Sequence, residues 1–377
     1  MTTHSMVRKL LALGAVVVAS CFCLPATAQS RFEFFGEIGN GPGSALGQFN
    51  APSGLAFRQD AGSPAELYIA DTLNNRIQRA TFNPITGDPD FDLIAGPGSG
   101  MGEVMGPRGI SVADVDGDAL PDVVVADTGN RRVWVYPGLI IGQSRVIAGP
   151  GSGVGEVDGP QGVDGHGGGG AGGIVFVADT LNNRIQKATQ NPGTLTFTWT
   201  QLEGPLALGP LNQPAGVFAQ DTDANGGLDR LFVADTGNNR VLRAALDELT
   251  GDPDFDLLMG SGTGLGEVSL PGSIVVLVED ENTYFVADTG NNRVQVGVDN
   301  GNNINWEFVG GGAISMLAPG GLAVGDLTRD GRPDLVVADT GNNRLLLFAG
   351  VPEPSTMLLA AAAMAAASTL RRRQPRN

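Results

Sequence analysis

Three stretches of the chain alternate oxygen-bearing side chains in a spacing that suits a hard divalent cation. In DTDANGGLD, Asp221, Asp223, Asn225 and Asp229 stand at the first, third, fifth and ninth positions, with Gly226 at the sixth. DVDGDALPD sets Asp114, Asp116, Asp118 and Asp122 in the same spacing, and DLTRDGRPD offers Asp326, Asp330 and Asp334 with Thr328 at the third position. Ca2+ takes roughly six to eight oxygen ligands, and a Gly that permits a sharp bend lets one short loop supply several of them. The second loop has Ala119 where the first has its Gly, and the third sets Arg329 and Arg332 beside its carboxylates. The alternative for each is an ordinary acidic hairpin solvated at a rim. A bound calcium would be structural, pinning the loop and neutralising its carboxylates.

Other site chemistries find few residues to work with. Cys21 and Cys23 lie together in an N-terminal apolar segment, and the histidines are His4 and His166. A core without thiols has neither a disulfide framework nor a thiolate nucleophile, and one histidine cannot build a multi-histidine zinc or iron site. The formal net charge is −17. Losing Arg8 and Lys9 with a leader, and Glu353, Arg371, Arg372, Arg373 and Arg376 with a tail, leaves 17 basic against 39 acidic residues, net −22. Such a surface repels phosphate backbones, so nucleic acid is not an expected partner.

The elements that position these loops are set by an eight-residue phrase that returns six times. VADTGNNR stands intact at Val233–Arg240, Val286–Arg293 and Val337–Arg344, with variants at Ile69–Arg76, Val125–Arg132 and Val177–Arg184. Its Asp falls at 71, 127, 179, 235, 288 and 339, intervals of 51 to 56 residues that mark a structural repeat. Each unit runs through a Gly-rich loop such as GPGSGMGEVMGP, then a short apolar run such as GLAF (Gly54–Phe57). A β-branched run then enters the Asp, as in DVVVAD (Asp122–Asp127), and two further runs follow the Arg. Short β-rich runs separated by Gly, Pro, Asn and Asp make four antiparallel strands per unit. Four strands repeated at this spacing predict an all-β, six-bladed β-propeller. The last unit supplies three runs, and FEFFGEIG (Phe32–Gly39) matches the missing fourth. The N-terminal strand is therefore expected to join the last blade and close the ring, leaving no unpaired edge. Within the phrase, Thr-Gly-Asn forms a turn in which Gly or Asn takes positive φ, and Arg reaches the Asp of its own or a neighbouring unit. Six near-identical copies are what ring construction needs, so Asp and Arg are read as structural. Trp134, Trp199 and Trp306 lie inside β runs and are read as packing residues.

The phrase resembles the NHL repeat, which runs from a Gly-rich loop through Pro-x-Gly to Val-Ala-Asp-x-x-Asn-x-Arg. The resemblance covers nearly all of residues 31–350 and implies a six-bladed propeller. Two departures are the loop at Gly165–Gly173 and Arg131, which replaces the second Asn in the second unit. The acidic loops, continuing as Pro-Asp-Val-Val-Val or Pro-Asp-Leu-Val-Val, resemble the calcium-binding turns of FG-GAP/VCBS propeller repeats.

Residues 1–28 read as a secretory signal peptide, with Arg8 and Lys9, the apolar run Leu10–Leu24 and Pro25 before Ala26-Thr27-Ala28. Cleavage before Gln29 and lipidation at Cys21 are both open. After the propeller (29–350), residues 351–377 place Pro352-Glu353-Pro354, an apolar run to Leu370 and Arg371–Arg373 in that order. Ser355–Leu370 is 16 residues, short of the ~20 that span a bilayer comfortably. This order resembles the PEP-CTERM sorting signal. It implies an exosortase as processing partner, membrane contact only transiently through a C-terminal helix, and delivery to the cell surface or extracellular matrix of a Gram-negative bacterium. The expected function is a non-enzymatic binding or scaffold protein with a polysaccharide or protein ligand. A calcium-dependent, lactonase-like hydrolase or a lyase is the alternative.

Overall fold

The computed structural model describes residues 31–351 apart from positions 40, 61, 140–143, 168–171, 193, 195, 203, 205–206, 222–226, 247–252, 279–281 and 313. Six sheets follow one another along the chain, each an antiparallel run of four strands, in sequence order in the first five. In blade 2 these are Ile110–Ala113, Asp122–Asp127, Arg132–Tyr136 and Arg145–Pro150. Blades 1, 3, 4 and 5 begin at Pro52, Val163, Gly216 and Ser273. Blade 6 takes Leu322–Gly325, Asp334–Asp339 and Arg344–Gly350 from the end of the chain and Phe32–Ile38 from its start. The start pairs antiparallel with the end, Phe32 opposite Gly350 and Ile38 opposite Leu345, so the ring closes as the repeat count requires. The Phe32 ring packs edge-on against Phe285 of blade 5 at 5.0 Å.

Among the described residues, three blades carry a refinement that the four-strand pattern does not contain. Glu103–Val104, Glu156–Val157 and Glu267–Val268 add a two-residue parallel strand outside the fourth strand. The Gly-rich loop makes this possible. Glu103 folds back so that its carboxylate accepts the Gly100 N–H at 2.7 Å, and a Cβ on Gly98 would collide with that carboxylate.

The core is divided among the blade interfaces. Each apolar cluster draws on two neighbours: Tyr68, Ile77, Val123 and Trp134 join blades 1 and 2, and Phe176, Ile185, Leu231 and Leu242 join blades 3 and 4. Phe49, Leu67, Val336 and Leu345 close the circuit between blades 1 and 6. Each sheet thus buries both faces against its neighbours, which explains the near-continuous Val, Ile, Leu and Phe runs of the second strands.

The phrase occupies the turn between the second and third strands. Thr-x-Asn forms a single 3-10 turn, and the following residue takes the left-handed conformation, Asn75 at φ 51° and Asn343 at φ 57°. Positive φ therefore falls on the second Asn, a residue that tolerates it, or on Arg131 at φ 54° in the second unit, and not on the Gly. All six Asp residues are fully buried. Each receives the Nε of its own unit's Arg at 2.6–2.8 Å. Each also receives a backbone N–H from the preceding loop, Asn50, Met105, Asp158, Asn212, Ser269 or Leu317, at 2.7–2.8 Å. The Thr works between units, its hydroxyl donating to the Pro carbonyl of the next blade, from Thr72 to Pro107 round to Thr340 to Pro52, at 2.6–2.8 Å. The left-handed Asn adds a second link, accepting an N–H of the next loop in five units. In the remaining unit Arg131 holds that loop through an ion pair with Asp158 at 2.7 Å.

Asp288→Ala strips Arg293, Asn291 and the Ser269 N–H of their acceptor and is expected to cost about 3–5 kcal/mol. Thr289→Val removes one bond between blades and is expected to cost about 1 kcal/mol. Urea unfolding of the two variants measures both, and a smaller loss for Asp288→Ala than for Thr289→Val contradicts these assignments.

Candidate functional site

The acidic loops connect the first and second strands of their blades. Because strands alternate in direction, they lie on the face opposite the phrase turns. The blade 2 loop is not a solvated rim hairpin. Val115 is fully buried in the cluster between blades 2 and 3, and the Asp116 carbonyl accepts the Gln190 amide across that interface at 3.2 Å. Burying Val115 turns the loop back on itself and brings Asp114, Asp116 and Asp122 together, with one carboxylate oxygen from each within 4.8 Å of the others.

The bonds in this loop show what each carboxylate has left to offer. Asp114 accepts the Gly117 and Ala119 N–H groups, and Asp122 accepts those of Val115, Asp116 and Gly138. Asp116 pairs through Oδ2 with Arg145 at 3.1 Å, while its buried Oδ1 has no partner among the described residues. Burial pushes the Asp122 carboxyl up to about 6, opposed by the Gly138 N–H and reinforced by the charges of Asp116 and Asp118. A cation would relieve both the orphaned oxygen and the crowding of like charge. Asp118 stays outside the group and accepts the Leu120 N–H.

The other two loops stand differently. In blade 6, Asp326 accepts the Asp330 and Gly331 N–H groups, Asp330 pairs with Arg332 at 3.0 Å, and Asp334 accepts the Thr328 N–H. No metal-sized group of three forms there among the described residues. Burial raises the Asp334 carboxyl to about 6, as for its counterpart Asp122. In blade 4, Asp221 and Asp229 flank the chain, whereas Asp223, Asn225 and Gly226 lie outside the described residues.

The six innermost strands enclose an axial cavity of about 620 Å3. Ala56, Val112, Phe218, Val275 and Val324 are half-buried on its wall, and Arg108, Gln161 and Ser53 stand at the phrase-face mouth. Among the described residues its wall carries one carboxylate, Asp164, whose Oδ2 accepts the buried Ala219 N–H of blade 4 at 2.7 Å and lies 2.8 Å from His166 Nε2. Asp164 and His166 were not separable from the surrounding strand by sequence pattern. The available signal was Asp164 itself, a carboxylate at a position where Ala56, Ser111, Phe218 and Ala323 stand in other blades.

Residues 350–374 match the family model for the PEP-CTERM protein-sorting motif. The chain is a six-bladed propeller that ends in a PEP-CTERM sorting motif. That motif marks the protein for export and surface sorting in Gram-negative bacteria. The leader, and the expected C-terminal helix within the tail, lie outside the described residues. No curated protein matches the sequence. Among solved structures, an auxiliary nutrient binding protein from Bacteroides thetaiotaomicron is 11% identical, with 82% of this chain and 71% of that one covered and a TM-score of 0.55. A catalytically inactive variant of virginiamycin B lyase from Staphylococcus aureus is 16% identical over 82% of this chain and 83% of that one, with a TM-score of 0.48. The first of these likenesses is one of fold.

Burial lowers the affinity of His166 for its proton, but the charge of Asp164 and the bond to it outweigh that, so the imidazole titrates above its usual 6.5. Its contribution to stability is complete below pH ~6.5 and is lost as pH rises through the folded value. An NMR titration of the His166 ring should show the raised value, and Asp164→Asn should lower it. An unshifted wild-type value contradicts the pairing.

Proposed function

We propose that the exported propeller is a non-enzymatic binding or scaffold protein of the cell surface or extracellular matrix, which takes its polysaccharide or protein ligand at the mouth of the axial cavity. The observation that supports this reading is the cavity itself. Its volume lies in the range of ligand sites, and it combines an apolar wall with a few polar groups at one mouth. The six buried Asp–Arg pairs do not compete for this role, because their hydrogen-bonding capacity is spent on the loops.

Calcium in the blade 2 loop belongs to the same reading as a structural ion. Asp114, Asp116 and Asp122 would hold it, and it would supply the charge that the unpartnered Asp116 oxygen lacks. Arg145, already against Asp116, is its competitor and would have to swing away.

Two measurements test this. Saturating Ca2+ over EDTA should raise the melting temperature, with a stabilisation of about 2–3 kcal/mol when calcium stands near a hundredfold above its Kd. Asp116→Asn should remove most of that gain, and an unchanged melting temperature in wild type rules the ion out. For the ligand, the immobilised chain should retain polysaccharide or protein from native matrix, and Ala56→Trp, which fills the cavity, should release it. Calcium-dependent turnover of a lactone panel would instead establish the hydrolase.

A further inference from the structure

The phrase-face mouth of the axial cavity is ringed by the residue that follows the Pro of each entry loop. Round the ring these are Ser53, Arg108, Gln161, Ala215, Gly272 and Gly320, all lining the cavity. The polar three fall together on blades 1 to 3 and the small three on blades 4 to 6. The mouth is therefore lopsided, with hydrogen-bonding groups on one side and open room on the other.

The three polar residues do different work. Ser53 has one hydroxyl proton to give. Thr72 Oγ1, itself donating to Pro107, and the Arg108 carbonyl compete for it at 2.6 and 3.2 Å. Ser53 thus helps to hold the Arg108 backbone. That backbone is pinned twice more. Its N–H donates to the Ala126 carbonyl at 3.1 Å, and Gly54 packs so close that a Cβ there would collide with the Arg108 carbonyl. The Arg108 side chain, by contrast, is exposed and has no ion-pair or hydrogen-bond partner among the described residues. The half-buried Gln161 amide has none there either. The six phrase arginines are each spent on an Asp. Arg108 keeps its whole fork of N–H donors for something else, on a backbone that does not move.

Behind this mouth the wall is apolar, with Ile110, Val217, Ile274 and Leu322 just inside it. Asp164 lies three residues beyond Gln161, ~10 Å further along the axis. A cation at the mouth and a carboxylate deeper in set the direction of an amphiphilic anion, with its head at Arg108 and its apolar body down the axis. Overall charge narrows the ligand further. A core near −22, with Glu103, Glu156 and Glu267 exposed on the same face, repels a polyanion, whereas a single negative charge is matched by a single guanidinium.

We propose, resting on the reading of the cavity as a binding site, that it takes a small monocarboxylic acid with an apolar body, such as a medium-chain fatty acid. The Arg108 fork and the Gln161 amide hold the carboxylate, and the wall buries the chain.

Isothermal titration calorimetry of the purified chain tests this with butanoate, hexanoate, octanoate, octan-1-ol and octylammonium. Octanoate is expected to bind, with affinity rising about fourfold for each methylene added from butanoate. Octanol and octylammonium should bind at least about tenfold more weakly than octanoate. Arg108→Gln should weaken octanoate by about 10- to 100-fold and leave octanol unchanged. Its melting temperature should not move, since the side chain is exposed. Ala56→Trp, which fills the cavity, should remove the binding of both; if that variant does not fold, the chain-length series still reports burial of the body. Four results overturn the proposal: no octanoate binding, octanoate and octanol binding alike, no gain with chain length, or Arg108→Gln binding octanoate as wild type does. If native matrix polymer is then still retained, and still released by Ala56→Trp, the proposed function stands and the carboxylate site alone is lost.

Discussion

A carboxylate with no exposure to solvent must have its lone pairs filled from within the protein, and six of them here are filled in the same way. The Asp of each phrase is bound by the Arg five residues on, by an Asn three residues on and by an N–H of the loop that enters the blade. Removing that carboxylate would strand several donors at once, which is far more costly than losing any one bond. The Arg in turn grips loop carbonyls, Arg132 those of Ser99, Gly100 and Glu103. A Gly-rich loop with little side chain to pack is thereby held by one ion pair. The inner strand that follows it is placed, and the axial cavity takes its shape from six such placements.

Much of this was legible in residues 69–76 and their five counterparts, because polar residues at fixed spacing in a repeat declare a shared turn. The closure was legible too, since Phe32–Gly39 supplies the strand that the last unit lacks. The division of labour within the phrase was not. Asp and Arg act inside a unit while Thr and the second Asn reach the next, and one sequence pattern fits either assignment. The short parallel strands at Glu103, Glu156 and Glu267 were hidden because a two-residue strand has no period. The acidic loops were legible as loops but not in their differences. DVDGDALPD gathers three carboxylates because Val115 is pulled into the core, a packing event that the Asp spacing does not encode.

Departures from sixfold symmetry are few and local. Arg131 substitutes an ion pair for an amide bond without loosening the ring. Asp164 puts one carboxylate on a cavity wall that is otherwise apolar or small. Val351, just before the sorting tail, lies beside Arg31 on the face that bears the acidic loops.

The central claim is that the buried Asp residues hold the blade-entry loops, and native-state hydrogen exchange reads this directly. The amides of Asn50, Met105, Asp158, Asn212, Ser269 and Leu317 sit in Gly-rich loops, where fast exchange would be the ordinary expectation. The account predicts that all six fall in the slowest class and exchange only with global unfolding. Exchange of these amides by local opening, at the rate of neighbouring exposed loop positions, would contradict it.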